Sequence, residues 1–363
     1  MIKIIDRYIF KELLEPFLFG LGAFTTILSA SMLMFDLVRA VALKGMPLFI
    51  ALQIFVYKLP SIMVFIFPMA TLLAVLLAFG RLSNDSEIIA FRAQGVSLFR
   101  LVIPVIFLGL LVSFTNLAFS EVVVPEANTA AKELLVEAVQ KQSPRMQKNV
   151  FVPEIEHGVL KRVFYADTLK GNTMKDVIVQ EFTDGKLSQI ITAKEALWQK
   201  EKNEWVFKSG IIHLIAKNGD YKHIIRFKEQ SIAIKYSPAD FLIGDQNPDE
   251  MTIAQLKDFV KLKEKMGVDT TSVKIQLNMK MSIPFASLVF ALLGAPLGLS
   301  SRRSSSSIGL GLSIIVIFFY YILTFICMAI GEIKLLSPGV AAWLPNIITG
   351  AAGWYILYKK AKS

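Results

Sequence analysis

The stretch LPSIMVFIFPMATLLAVLLAF, residues 59–79, contains no charged side chain. A helix needs about 20 consecutive, mostly apolar residues to cross the hydrocarbon core of a bilayer, which is about 30 Å thick. An apolar run of this length is typical of a membrane span, because helices of soluble domains carry a polar face. We therefore predict that residues 59–79 cross a membrane.

The rest of the chain repeats this pattern on both sides of one long polar insert. The sequence is 54% hydrophobic and has a mean hydropathy of +0.54, above the usual range of soluble globular domains. A charged, mostly amphipathic segment at 120–280 interrupts the apolar stretches. We predict six membrane helices, three before the insert and three after it. The predicted spans cover residues 13–35, 59–79, 98–119, 283–299, 308–330 and 339–358.

The distribution of Lys and Arg predicts the orientation of these spans. Eleven of them lie at the two termini and in the loops after the second and fourth spans. The short loops on the other side hold Arg39, Lys44 and Lys334, and Lys58 directly precedes the second span. Because cytoplasmic loops carry the excess of positive charge, both termini are expected in the cytoplasm and the insert outside. The net charge of +10 then largely reflects this asymmetry and does not favour a nucleic-acid partner.

The basic N-terminus has a second interpretation, a cleaved signal peptide. Lys3, Arg7 and Lys11 precede an apolar run that ends near Ser29-Ala30-Ser31, which resembles a cleavage site. The run is longer than a typical signal-peptide core, and five further spans follow. These features favour a retained first membrane helix.

The sequence contains no recognisable catalytic or nucleotide-binding motif. There is no G-x-x-x-x-G-K-[ST] motif to hold nucleotide phosphates and no evident Ser-His-Asp set. The single cysteine, Cys327, lies in a span, and all three histidines lie in the insert. We therefore predict a protein that is not an enzyme, with no metal, cofactor or disulfide framework.

The insert is predicted to be rich in β-strands and to end in a helix. Asp184-Gly185 and Asn218-Gly219 are typical hairpin turns. Apolar residues lie on both faces of the strands, which suits either a sandwich core or an apolar groove. After Pro248, a capping box of Thr252 and Gln255 begins a helix that Gly267 can end. The predicted strands are 159–167, 176–183, 187–194, 204–216 and 221–236, and a further helix is predicted at 121–142.

The polar segment 80–100 between the second and third spans has the character of a docking element. We expect Ser83 or Asp85 to cap a short helix there, and Gly95 to end it. Glu87 would lie in its first turn. Three residues are expected to form its apolar side, namely Ile88, Ile89 and Phe91.

Two glycines in the fourth span, Gly294 and Gly298, match the small-xxx-small pattern of closely packed membrane helices. The pattern indicates either a packing or helix-breaking site within the chain or a contact face for a second chain.

Four sequence blocks together resemble the LptF/LptG permeases, which export lipopolysaccharide with an ATP-binding subunit. The resemblance covers nearly the whole chain and is weakest in the strands. The blocks are 6–17 (DRYIFKELLEPF), 68–95 with its Arg-Leu-Ser-x-Asp-Ser-Glu, the helix at 251–271, and 280–298, from Lys-Met-Ser-Ile-Pro-Phe to Gly-Ala-Pro-Leu-Gly.

The resemblance implies a permease subunit of an ATP-driven exporter in the inner membrane. Residues 1–119 would hold helices 1–3 with the cytoplasmic coupling loop 80–100, and residues 281–363 helices 4–6. Residues 120–280 would form a periplasmic, all-β, jellyroll-like domain with flanking helices. The implied partners are a cytoplasmic LptB-like ABC ATPase dimer, a second LptF/LptG-type permease or a second copy of this chain, and periplasmic LptC/LptA-like jellyroll proteins. The permease would extract lipopolysaccharide from membrane lipid and pass it to the periplasmic bridge.

The resemblance also implies roles for individual residues. The loop 80–100 corresponds to the coupling helix, where the Glu87 carboxylate could pair with an arginine of the ATPase or remain a solvated capping charge. The neighbouring charges expected to take part are Asp85, Arg81 and Arg92. Candidate contacts to the lipid phosphates are Arg39, Lys44 and Lys58, although Lys58 could instead extend to the membrane interface.

Two other functions remain open. An ion-coupled secondary transporter would require repeats and intramembrane carboxylates, yet Asp36 and Glu332 lie only at span ends. A non-transporting envelope scaffold would not need the docking loop. The sequence leaves open whether the chain is the F-type or the G-type subunit, whether it pairs with itself, which lipid form it carries and which residues line the cavity.

Overall fold

The computed structural model describes twelve parts of the chain, in which long helices precede and follow a β-sheet along the sequence. Among these residues six helices are long and apolar enough to cross a membrane, which confirms the six predicted spans. The described residues are 4–42, 47–140, 147–156, 159–170, 172–183, 186–199, 204–215, 221–232, 248, 251–265, 268–299 and 306–362. The helices are α1 (Ile4–Met32), α2 (Met34–Ala42), α3 (Leu48–Asn84), α4 (Glu87–Ala93), α5 (Leu98–Gln140), α6 (Ile253–Lys265), α7 (Thr271–Gly298), α8 (Ser306–Glu332) and α9 (Pro338–Lys362).

The chain divides into two compact units. One holds residues Met1–Ala138 and Thr271–Ser363, with the long helices, and the other holds Val139–Thr270, with the sheet and α6.

Helix α3 is the centre of the helical unit. Of its most apolar stretch, 78% is buried by other parts of the protein, against 22% for α1 and for α8. A helix that is apolar all round can be buried on every side, whereas α1 buries a single stripe. The buried residues of α1 recur every three or four positions: Ile9, Leu13, Phe17, Gly20 and Phe24.

Helix α5 runs without interruption from Leu98 to Gln140. The predicted third span and the predicted helix at 121–142 are therefore one helix. The sequence suggested a boundary because proline removes a backbone donor, yet both Pro104 and Pro125 lie within α5. A proline inside a helix removes one hydrogen bond and can kink the helix without ending it.

Gly294 and Gly298 are packing positions within the chain. A Cβ atom on Gly294 would lie 3.1 Å from side-chain atoms of Val75, and one on Gly298 would lie 2.8 Å from Cβ of Phe79. Both neighbours belong to α3, so the small-xxx-small pattern serves the α3–α7 contact. Of the two interpretations, the structure supports packing within the chain.

Among the described residues, the insert contains one antiparallel sheet of six strands in the order of the chain. This arrangement confirms the predicted β-rich insert. The described strands follow one another as a meander, each paired with the next. Their bounds are β1 (Gln147–Glu156), β2 (Val159–Lys170), β3 (Thr173–Thr183), β4 (Lys186–Gln199), β5 (Glu204–Ile215) and β6 (Tyr221–Ile232).

The sequence prediction missed β1 and shortened β2, β3 and β4. Strand β1 contains Pro153 and charged residues, so its composition does not stand out. The pairing of Thr183 with Lys186 leaves only Asp184-Gly185 between β3 and β4, as the hairpin prediction requires. The two turn residues themselves lie outside the described residues, as do Asn218-Gly219, Gly267 and the predicted strand end at 233–236.

One face of the sheet carries a closed apolar core. Trp205, Phe207 and Val179 are almost fully buried, and Leu262 of α6 packs against this cluster. Helix α6 begins with the predicted capping box, in which the Thr252 N–H donates to Gln255 Oε1 (2.8 Å) and the Gln255 N–H donates to Thr252 Oγ1 (3.2 Å). Core packing is therefore the interpretation that the described part of this face supports.

Candidate functional site

The segment between α3 and α5 forms the predicted short helix, α4 (Glu87–Ala93). The predicted caps, Ser83 and Asp85, were wrong. Helix α3 continues to Asn84, so Ser83 lies within α3 and Asp85 is its C-cap. The residue before α4 is Ser86, whose φ of 58° is left-handed and whose side chain makes no capping hydrogen bond in the described structure. Asp85 and Ser86 form the turn between α3 and α4, and the left-handed conformation of Ser86 is part of this turn.

Gly95 ends α4 as predicted. Its φ is +82°, and its N–H donates to the Arg92 carbonyl at 2.9 Å. The Val96 N–H donates to the Phe91 carbonyl at 3.1 Å. These two bonds form a Schellman motif, which favours glycine because other residues are strained at positive φ. Both ends of α4 are therefore fixed by the backbone.

Because Ser86 is left-handed, we predict that glycine substitutions at Ser86 and at the nearby Ser83 change the stability of the protein in opposite directions. Ser86→Gly should raise the free energy of unfolding by about 1 kcal/mol, because glycine adopts a positive φ without strain. Ser83 lies inside α3, so Ser83→Gly should lower the free energy of unfolding by about 0.5 kcal/mol. Thermal unfolding of the two full-length variants in detergent measures both changes. Shifts of the same sign would contradict the assigned backbone.

The apolar residues of α4 have two different roles. Ile88 is buried and Phe91 packs against the same cluster, which also includes Leu82 and Leu98. Positions three apart share a face of a helix, so these two residues attach α4 to the bundle. Ile89 is 60% exposed on another face. The predicted apolar side therefore divides into an anchored pair and one exposed isoleucine.

Glu87 is linked to the first turns of α1. The Tyr8 hydroxyl lies 2.8 Å from Glu87 Oε2 and 3.0 Å from Oε1, and donates its hydrogen bond to the carboxylate. Both side chains are half-buried. A charged acceptor makes this bond stronger than one between neutral groups. Glu87 is therefore held in a defined orientation rather than free in solvent.

Arg81 joins the same region of α1 to the end of α3. Its Nη2 lies 2.5 Å from Glu12 Oε2, and its Nε lies 3.9 Å from Asp85 Oδ2. Arg92 is exposed in the last turn of α4. The four residues predicted for coupling thus lie in one segment at one end of the helical unit. Of these four residues, Arg81 and Glu87 form polar contacts to α1 in the described structure.

A third contact between α1 and this segment was not predicted. The Arg100 guanidinium donates to both Asp6 oxygens, at 2.5 and 2.6 Å, and both side chains are about three quarters buried. Both residues stand in or beside the sequence blocks already noted. Their separation by 94 positions hides the pairing, because nothing in the sequence fixes how α1 lies against α5.

Of the three residues predicted to contact phosphate, the structure describes Arg39 and Lys58, which lie outside this segment. Lys58 is exposed inside α3, 23 residues before Arg81, which is about 35 Å along a helix. Arg39 is exposed in the last turn of α2. Lys44 lies outside the described residues. The structure therefore separates Lys58 from the coupling segment by most of the length of a span.

A cavity of about 290 Å³ lies beside Arg81, between the ends of α1, α3, α7 and α8. Glu12, Glu15 and Asp85 supply acidic groups, and Leu76 and Leu312 contribute apolar wall. The cavity and the polar contacts of Tyr8, Glu12 and Asp6 give this end of the helical unit several charged and polar side chains close together. A concentration of charged side chains at one end of the unit suits the docking of a partner.

Comparisons with known proteins agree with this architecture. The sequence model of a family described as "Lipopolysaccharide export system permease LptF/LptG" matches residues 7–359. The chain is also similar to the "Lipopolysaccharide export system permease protein LptG" of Haemophilus influenzae (strain ATCC 51907 / DSM 11121 / KW20 / Rd). The two are 24% identical over 375 residues, which cover 99% of each chain.

Proposed function

Because this chain belongs to the LptF/LptG family of lipopolysaccharide export permeases, we propose that it is the permease half of an ATP-driven exporter. A separate cytoplasmic ABC ATPase dimer supplies the energy. The permease takes lipopolysaccharide from the inner membrane and passes it to a periplasmic bridge. A second permease of the family, or a second copy of this chain, completes the membrane part.

The structure of α4 is the observation that best supports binding of an ATPase. A helix of seven residues is fixed at its N-terminal end by Ser86 and at its C-terminal end by Gly95, and it is anchored by Ile88. It exposes Ile89 and carries the half-buried Glu87 in its first turn. A rigid element that presents an oriented carboxylate suits the docking of a partner with a cationic side chain.

The positive-inside pattern supports the topology in this proposal. The segment 80–100 and both termini lie on the cytoplasmic side, where an ATPase can bind α4. The β-rich unit then lies in the periplasm, where it meets the jellyroll proteins of the bridge. Residues 1–119, 120–280 and 281–363 keep the roles that the sequence suggested.

The far end of the helical unit is proposed to meet the lipid phosphates. Lipopolysaccharide is amphiphilic and polyanionic, so its path requires apolar walls and basic groups near the outer rim. Arg39 and Lys58 are exposed, and Lys44 belongs to the same stretch of sequence. Helices α1 and α8 expose aromatic side chains such as Phe19 and Phe325, and they are the proposed walls toward the second permease or lipid.

The proposal is tested by purifying the tagged full-length chain in mild detergent and identifying its partners by mass spectrometry. We expect an ABC-type ATPase and a second permease in near-stoichiometric amounts. Reconstituted into liposomes with lipopolysaccharide, the complex should release the lipid to a soluble jellyroll acceptor only when ATP is present. Recovery of an intact permease without an ATPase would overturn the proposal and favour the scaffold or the ion-coupled transporter.

A further inference from the structure

We propose that Tyr8 is a positioning residue for Glu87, and that it links the docking helix α4 to membrane helix α1. The second half of this inference, the transfer of movement to α1, rests on the function proposed above. The first half concerns the permease alone.

Three short polar contacts join the N-terminal turns of α1 to the segment 81–100. They are Tyr8 with Glu87, Glu12 with Arg81, and Asp6 with Arg100. The Tyr8 hydroxyl also interacts with the Arg81 side chain. Each of the three short contacts reaches a different part of the segment: α4, the end of α3 and the start of α5. The N-terminal end of α1 is therefore tied both to the docking helix and to the two helices that flank it in the chain.

The position of Tyr8 on α1 makes the link specific. Tyr8 and Glu12 are four residues apart, so both side chains lie on one face of the helix. The Tyr8 ring packs against the apolar cluster that also holds Ile88. Packing of the ring fixes where the hydroxyl lies, and the hydroxyl in turn fixes the orientation of the Glu87 carboxylate.

A carboxylate can accept several hydrogen bonds at once. Glu87 can therefore keep its bond to Tyr8 while it accepts a second bond from a cationic side chain of a docked partner. Because Tyr8 already orders the side chain, binding does not have to restrict it again, and less entropy is lost. A displacement of α4 would also displace Tyr8, and with it α1.

Helix α1 is suited to move when α4 is displaced. Only 22% of its most apolar stretch is buried, so much of its surface faces away from the other helices of this chain. Its inner stripe packs against α3, with Gly20 beside Ala70. A helix with one packed face and three polar contacts at one end can tilt at a lower cost than the enclosed α3.

The first test uses the permease without its ATPase. Lys11→Cys on α1 and Ile89→Cys on α4 are both exposed and accept nitroxide labels, in a Cys327→Ala background that removes the single native cysteine. Distances are measured by pulsed electron paramagnetic resonance in nanodiscs. Tyr8→Phe keeps the ring and should broaden the distance distribution. Tyr355→Phe, on an exposed site of α9, should leave it unchanged.

The second test uses the complex with the co-purified ATPase. Tyr8→Phe should weaken ATPase binding about fivefold, because the Glu87 side chain then loses its conformational freedom only on binding. In a Glu87→Ala background the same substitution should have no effect, because Tyr8 acts through Glu87. A purely structural role would weaken binding equally in both backgrounds.

The outcomes separate the two proposals. An unchanged distance distribution in Tyr8→Phe, or equal effects with and without Glu87, overturns the role of Tyr8. Failure of the wild-type chain to bind any ATPase overturns the proposed function instead, and the distance measurement still decides whether Tyr8 holds α4.

Discussion

Glu87→Arg is expected to lower the amount of co-purified ATPase at least thirtyfold. The substitution places a cation where the proposed partner supplies one, and removes the acceptor of the Tyr8 hydroxyl, which lies 2.8 Å from Glu87 Oε2. Breaking one member of a close interfacial charge pair costs about 2–5 kcal/mol, and reversal adds repulsion. Affinity purification with quantitative mass spectrometry measures the change.

Two control variants make this result interpretable. Glu332→Arg reverses an exposed carboxylate at the other end of a span, so it should leave ATPase recovery unchanged. Glu87→Gln keeps an acceptor for Tyr8 but removes the charge, and should give an intermediate loss. If Glu87→Arg retained the ATPase at the wild-type level while the protein remained folded, α4 would not be the docking element.

Gly298→Ala is expected to give the largest loss of stability among single-methyl additions to α7. The new Cβ would lie 2.8 Å from Phe79 Cβ and 3.2 Å from the Leu76 carbonyl oxygen. These atoms belong to or adjoin the backbone of α3, so they cannot rotate away and the helices must separate. Overpacking of this kind costs about 1–3 kcal/mol. Thermal unfolding of the detergent-solubilised chain should show a decrease of several degrees in Tm.

Gly311→Ala is the matched control for this prediction. Gly311 also lies in a membrane helix, and a methyl group added there would meet no described atom within 4 Å beyond the adjoining backbone of its own helix. We expect no loss there, and a small gain because alanine favours the helix. Equal destabilisation by both substitutions would show that the α3–α7 contact at Gly298 is not close.

The sequence was sufficient where a single segment determines its own structure. Long apolar runs such as 59–79 must become helices in a bilayer, because every backbone polar group has to bond within its own segment. The capping box at Thr252 and the glycine stop at Gly95 are local for the same reason: their hydrogen bonds span only a few residues. The family could also be recognised from the sequence, because each of the four blocks is a short continuous stretch of residues.

The boundaries between adjacent helices could be located only from the folded structure. Ser83 and Asp85 were chosen as caps from their residue types, yet α3 continues past Ser83 because Leu82 is buried in the cluster that α1 and α5 share. Ser86 then takes a left-handed conformation that its residue type does not favour. Similarly, α5 continues through Pro125, where tertiary packing outweighs the local preference of proline.

The sequence by itself determined the six spans, the β-rich insert, the charge asymmetry and the polar segment that carries Glu87. Only the tertiary structure decided that Glu87 bonds to Tyr8, that Asp6 pairs with Arg100, and that Ile89 rather than Ile88 is exposed. The physical reason is the range of the interactions. Helix formation and membrane insertion depend on neighbours along the chain, whereas a side-chain contact between residues 79 or 94 positions apart depends on how the helices pack.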